Sequence, residues 1–425
     1  MVIHMGQIRN KAKKMAMTAT AAAVAAVLAL GGCGSSSGTS GSGSSAASGG
    51  FVLGALMPLT GSLSYLSAAE VAAVQLAIND INDAGGVNGA DATFYQADTS
   101  DADHADQNTS AAEDVLSHNP SAIVGPASSA VVRNVYQEIT EAHVPMTSMG
   151  STSTAFSGLS DYFFRTVPPD TVQGTVLGNV IAQDGVQNLA IAAFNDEYGT
   201  GLRDQIAKTA GDQGVNVVYG ADQAFDPTET NFSSIVTAIK ASGADAIAIV
   251  AFDQTETLIR ELITQGVDTT HLYLVDGNTS DYSNEFAAGA LTGSKGTIPG
   301  AHASDEFQSR LQGVSSTQID DFTYAAETYD AVILEALAAE KGKANDGETV
   351  QANMMAVSGS TGGEKCENYK DCKALLDGGK EIQYSGQCGI GPWNDDHDPS
   401  TASIGIYEYD GSNVPKFSTS EQGNV

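Results

Sequence analysis

A strand that runs through a tight turn into a helix constrains this chain more than any other feature, because the unit recurs. Residues 121–132 read Ser-Ala-Ile-Val-Gly-Pro-Ala-Ser-Ser-Ala-Val-Val. Ala122-Ile123-Val124 is an apolar run long enough for a buried parallel strand. Gly125-Pro126 breaks it. Ser128 and Ser129 stand where a helix begins, ahead of a periodic segment reaching Glu141. A strand–turn–helix of this kind aims free backbone N–H groups at one point, and the helix dipole adds partial positive charge there. The turn is a candidate site for a small anion, most simply a carboxylate. Taken alone, the stretch suits better an ordinary turn whose serines only cap the helix.

The same alternation runs through most of the chain. Spacing predicts strands over 51–57, 92–97 and 144–148 and helices over 70–82 and 102–118. In 70–82, Val71, Val74, Ile78 and Ile81 share one face, and Ala84-Gly85-Gly86 closes the helix. A second series follows. Asp170 with Gln173 three residues on reads as a helix start. Strands are predicted over 188–194, 215–219, 245–250 and 271–275, with helices over 201–212, 232–242 and 256–265. Past Gly300 come helices over 305–311, 324–341 and 348–357 and a late strand over 404–409. Two such series in tandem predict an α/β fold of two lobes, each a mostly parallel sheet flanked by helices. Ligands then bind in the cleft, outside the carboxyl ends of the strands. Which lobe the late elements complete stays open on pattern alone.

What precedes the lobes reads as an export signal. Arg9, Lys11, Lys13 and Lys14 lead into an apolar stretch of about 13 residues, 18–30, too short to span a bilayer. It ends in Leu30-Gly31-Gly32-Cys33, which resembles the bacterial lipobox and implies that Cys33 becomes a lipidated N-terminus after removal of 1–32. Residues 34–50 are almost all Gly, Ser, Thr and Ala. They suit a tether reaching roughly 20–25 Å on average. Gly34-Ser35-Ser36-Ser37-Gly38 matches the G-x-S-x-G hydrolase pattern only by accident, because no strand–helix elbow surrounds it.

Charge excludes some partners. The chain carries 19 Lys and Arg against 51 Asp and Glu, a net of −32, and loss of the basic leader makes it more negative. Such a surface repels phosphate backbones and anionic headgroups, which argues against nucleic acid and peripheral membrane binding. No Walker A, H-E-x-x-H or G-x-G-x-x-G pattern occurs. The acid-rich 98–106 lacks the glycine of an EF-hand loop. Asp395-Asp396-His397-Asp398 reads as a solvated turn, with a cation site as the alternative. Neither a metal nor a cofactor is expected.

Five stretches, in order, resemble one family: Met57-Pro58-Leu59-Thr60-Gly61, Asn82-Asp83-Ala84-Gly85-Gly86-Val87-Asn88-Gly89, Gly125-Pro126-Ala127-Ser128-Ser129, Tyr198-Gly199-Thr200-Gly201 and Tyr329-Asp330-Ala331-Val332. These resemble the extracytoplasmic leucine/isoleucine/valine-binding proteins, type I periplasmic-binding-protein folds that feed ABC importers. The resemblance spans about 51–415. It implies two lobes joined by three hinge crossovers, placed near 166–168, 297–301 and 383–391. Lobe one is then 51–167 plus 301–383, lobe two 168–300 plus 384–415, and 416–425 a flexible tail.

Carried over residue by residue, the family's carboxylate site falls on Ser129, Gly150 and Thr152, with Ser128 beside it. The ammonium site falls on Tyr198 and Asp276, with Phe252 where some members carry a second Tyr. Asp276 stands for the Glu of some members, and Ser151 for a common Ala. Read as residues alone, Tyr198 also suits a core aromatic, Asp276 a turn before Gly277, and Leu66 either the pocket or ordinary core. The resemblance further implies a Cys366–Cys372 disulfide, which requires a turn through 368–371 and leaves Cys388 over.

The expected function is a lipid-anchored binding protein, monomeric, on the outer face of the membrane. It captures a small amino acid, branched-chain first, by hinge closure and delivers it to ABC permease subunits. The alternatives are a sensor that presents an amino acid or amide to a membrane receptor and an exported hydrolase using Ser128 or Ser129. No motif supplies the hydrolase with a general base.

Overall fold

The computed structural model describes residues 49–425. The predicted signal segment, Cys33 and most of the tether lie outside the described residues. The first sheet holds β1 (Val52–Met57), β2 (Thr93–Asp98), β3 (Ala122–Val124), β4 (Met146–Ser148) and β5 (Phe163–Arg165), in the order β2-β1-β3-β4-β5. Every pair is parallel. The helices α1 (Ser67–Asp83), α2 (Ala105–Ser117) and α3 (Ser129–Glu141) connect them. β1 and β3 are buried on both faces, as central strands of a covered parallel sheet must be.

The chain then enters a second lobe through α4 (Asp170–Gln183). Here β6 (Asn188–Ala193), α5 (Glu197–Asp212), β7 (Asn216–Tyr219), α6 (Ser233–Ser242), β8 (Ala246–Val250), α7 (Gln254–Thr264), β9 (Leu272–Leu274) and β10 (Lys295–Pro299) alternate. Past β10 it returns to the first lobe. There α8 (Asp305–Val314), α9 (Ala325–Gly342), α10 (Gly347–Ser358), β11 (Glu364–Cys366), α11 (Tyr369–Asp377) and β12 (Ile382–Tyr384) complete the packing against α1. A last crossing delivers β13 (Thr401–Tyr409) and β14 (Pro415–Asn424) to the second sheet, ordered β14-β13-β10-β9-β8-β6-β7. β13 and β14 are antiparallel additions to a parallel sheet.

Two expectations are corrected. The third crossing lies later than 383–391. Cys388, Ile390 and Trp393 belong to the first lobe's core. Asp330 of α9 holds them there, accepting from the Gln387 and Cys388 N–H groups at 2.9 and 2.7 Å, while the Trp393 indole donates to the Arg165 carbonyl. Residues 384–393 are therefore lobe-one material. The tail 416–425 is not a loose end, because β14 pairs with β13 along nearly its whole length. Its composition is polar because it is a sheet edge.

The Cys366–Cys372 bridge is formed, with Cα atoms 5.3 Å apart. The turn that permits it comes earlier than 368–371. Asn368 caps α11 by accepting from the Asp371 N–H, so Cys366 sits on a strand and Cys372 on a helix. Cys388 is free and buried.

Three glutamates are buried without ion-pair partners among the described residues: Glu70 on α1, and Glu327 and Glu335 on α9. Desolvation pushes each from 4.5 up to about 8. An acid whose folded pKa is raised keeps its proton in the folded state and releases it on unfolding, so unfolding is favoured as pH rises between those two values. Stability should fall from about pH 5 to about pH 8, by at most about 1.4 kcal/mol per unit for each group. Urea midpoints at the two pH values check this. A midpoint that rises with pH would mean the three acids are ionised and paired.

Candidate ligand-binding site

The groups that face each other between the lobes all sit just past strand ends. On the first lobe, Ser128 is the N-cap of α3, its Oγ accepting from the Val131 N–H at 3.4 Å. The first helical bond is donated by Val132 to the Ser128 carbonyl, so the Ser129 and Ala130 N–H groups precede it. The Ser129 hydroxyl accepts from the Ser151 hydroxyl at 3.2 Å and from the Ser153 N–H at 3.3 Å. Two adjacent turns are thereby tied together. Gly150 lies between them, where a Cβ would stand 3.2 Å from both Ala127 and the Tyr324 ring.

Arg165 holds this wall from behind. Its Nη1 donates to the Ser151 and Ser153 carbonyls at 3.2 and 2.9 Å, and its Nε to Asp398 at 2.6 Å. Both side chains are at most 1% exposed. The reading of 395–398 as a solvated turn is thus corrected at Asp398, which is the counter-ion of a buried arginine. Among the described residues no group of acids, His and Cys could hold a metal.

On the second lobe, Asp196 accepts from the Gly199 N–H at 2.6 Å and caps α5. The helix begins at Glu197, four residues ahead of the predicted 201, because this cap outranks the glycines in setting its start. Tyr198 then lies in the first turn. Its ring stacks on Phe252 with centroids 5.4 Å apart, and its hydroxyl donates to Asp276 Oδ1 at 2.7 Å. Gln173 Nε2 donates to the same oxygen at 2.9 Å. The Tyr324 hydroxyl, which enters from the first lobe ahead of α9, donates to Oδ2. Burial pushes the Asp276 carboxyl up, and the hydrogen bonds from Tyr324, Tyr198 and Gln173 pull it back. Asp170 is raised well above the carboxylate range by burial and then by the Asp276 charge.

The space between these walls is about 20 Å³, room for one or two water molecules. Leu66, Ser128, Ser129, Gly150, Tyr198, Phe252 and Asp276 line it together. Thr152 does not. It is buried, its carbonyl accepts from the Asp170 N–H, and its hydroxyl has no hydrogen-bond partner among the described residues. Three contributors escaped the sequence reading. Tyr65 reaches across to donate to the Gly277 carbonyl at 3.4 Å, Tyr324 bonds Asp276, and Gln173 turns its amide to Asp276 and Thr297. Gln173 carried a signal that pointed elsewhere, to a helix start with Asp170 as cap. The N-cap is in fact Pro169, and the Asp170 oxygens find no hydrogen-bond partner within range among the described residues. Tyr65, in a single 3-10 turn, and Tyr324, just ahead of α9, carried none, since no motif marks either position.

The chain matches the model of a family described as periplasmic binding protein over residues 51–366. It is 27% identical over 364 residues to a chemotactic signal transduction system substrate-binding protein of Halobacterium salinarum, covering 79% of this chain and 82% of the relative. Its fold resembles that of the branched-chain amino acid transporter substrate binding protein of Streptococcus pneumoniae solved in complex with isoleucine. There the TM-score is 0.71 and the identity 20%, over 89% of this chain and all of the other. It also resembles an ABC transporter solute binding protein of Rhodopseudomonas palustris in complex with p-hydroxybenzoic acid. That comparison gives a TM-score of 0.71 and 19% identity over 88% and 98% of the two chains.

Proposed function

Because the chain belongs to the periplasmic binding protein family, we propose that it captures an α-amino acid with a branched aliphatic side chain between its lobes for an ABC-type importer. One observation carries this reading. A helix N-terminus with a serine hydroxyl on one lobe faces a buried carboxylate under an aromatic stack on the other, across a small cavity. The first suits a ligand carboxylate and the second a ligand ammonium. Leu63 and Leu66 offer an apolar end for the side chain. The cavity is smaller than any amino acid, so entry requires Tyr65 and Tyr324 to leave the opposite lobe. That is a hinge opening of the kind the three crossings permit.

The family is one of extracytoplasmic binding proteins, so hydrolysis at Ser128 or Ser129 is set aside. The lipobox-like Leu30-Gly31-Gly32-Cys33 supports a lipid anchor at Cys33, and release of a Cys33→Ala variant into the medium is the check. A second reading, presentation of the ligand to a chemosensory receptor, is favoured by the name of the Halobacterium salinarum relative.

A thermal-shift screen of the mature protein against amino acids and aromatic acids tests the ligand class. Isoleucine, leucine or valine at 100 times its dissociation constant should stabilise by about 2.7 kcal/mol. A shift with 4-hydroxybenzoate and none with any amino acid would replace the ligand class.

A further inference from the structure

A second chamber, of about 240 Å³, adjoins the cleft at Tyr324, which lines both. Its walls come from both lobes and from the crossing at 300–303. Four acids line it, Asp281, Asp320, Asp321 and Glu327, and neither Lys nor Arg does. Glu327 is the deepest. It is 2% exposed, and its Oε1 has no hydrogen-bond partner among the described residues. The crossing is shaped around this carboxylate. Gly300 has φ +97°, and a Cβ there would lie 1.9 Å from Oε1, so only glycine leaves the acid its place. Phe322, Tyr324 and Tyr407 add aromatic surface.

A buried carboxyl oxygen without a donor is costly, and in a chamber lined by four acids and neither Lys nor Arg a cation supplies both the missing donor and the balancing charge. The volume far exceeds what one water needs, and no three ligating side chains converge on a metal position among the described residues. The occupant is therefore a cation with a carbon skeleton, for which ring faces are suited. We propose that this hinge chamber is a second binding site, separate from the amino-acid cleft, for a small organic ammonium ion held by Glu327 and Asp321 against the rings of Tyr324 and Tyr407.

Proton release provides a diagnostic. Burial holds Glu327 at about 8, with Asp330 adding repulsion, and raises Asp321 as well. The other titratable side chains lining the chamber are Asp281, Asp320, His302, Tyr324 and Tyr407. An ammonium bound to the ionised form must expel the Glu327 proton, so affinity should rise with pH up to about 8 and binding near pH 7 should release a proton.

The test is calorimetry of the full chain with ethanolamine and with choline, at ionic strength fixed by KCl, in two buffers of different ionisation enthalpy. Binding of at least one, with proton release, is expected. Glu327→Gln, which keeps the shape beside Gly300, should weaken it at least tenfold and abolish the proton release, and it should leave binding in the amino-acid cleft intact. Asp321→Asn should weaken it severalfold and decides the matter if Glu327→Gln does not fold. No heat with either amine, or equal binding by both variants and the wild type, would overturn the proposal. Failure of the amino-acid reading would not touch it, because the two sites are titrated with different ligands.

Discussion

Replacing Asp276 by Ala is expected to weaken amino-acid binding at least about 30-fold. The carboxylate is 6% exposed and is the acceptor for Tyr198, Gln173 and Tyr324 at once. A ligand ammonium brought to that position would lose its charge partner in a place water scarcely reaches. Removing one member of a buried, hydrogen-bonded charge pair costs about 2–5 kcal/mol, and about 1.4 kcal/mol is tenfold. Tyr198→Phe keeps the ring stacked on Phe252 and removes only one donor, so a loss of about 0.5–1.5 kcal/mol is expected. Calorimetry with isoleucine orders the two variants. Equal affinity in Asp276→Ala and wild type would remove the ammonium assignment and favour a carboxylate lacking an amine.

Asp398→Ala is expected to be the most destabilising single change, at about 3–5 kcal/mol, because it strands the Arg165 guanidinium in the core. Arg165 and Asp398 are separated by 233 residues and join the first sheet to the segment leading into β13. The same guanidinium holds the Ser151 and Ser153 carbonyls, so the carboxylate wall should loosen and ligand affinity should fall with stability. Replacing both partners by apolar residues, Arg165→Met with Asp398→Leu, should recover much of the stability. It should not recover the affinity, since nothing then clamps the turn. Urea unfolding and calorimetry on the single and double variants separate the two effects. A cost below about 1 kcal/mol for Asp398→Ala, the size of a surface pair, would show that the pair is not buried in solution.

The α/β architecture is written in local chemistry. A buried apolar triplet such as Ala122-Ile123-Val124 must pair its backbone, and the Gly125-Pro126 break leaves it too short for a helix and suited to a strand. Ser128 caps a helix wherever a periodic segment follows it, and both outcomes depend on neighbours within a few residues. The resemblance supplied Ser129, Gly150, Tyr198 and Asp276, which do come together, and Thr152, which does not line the cavity with them. What local chemistry does not specify is which partners meet across the cleft. Tyr324 reaches Asp276, and Tyr65 reaches Gly277, only because three crossings bring two lobes face to face. The same holds for Arg165 with Asp398 and for the hinge acid Glu327 beside Gly300. The polar segment 415–424 becomes a strand for a tertiary reason too. Its own residues bury little, and its backbone is ordered by the ladder that β13 offers at the open edge of the second sheet.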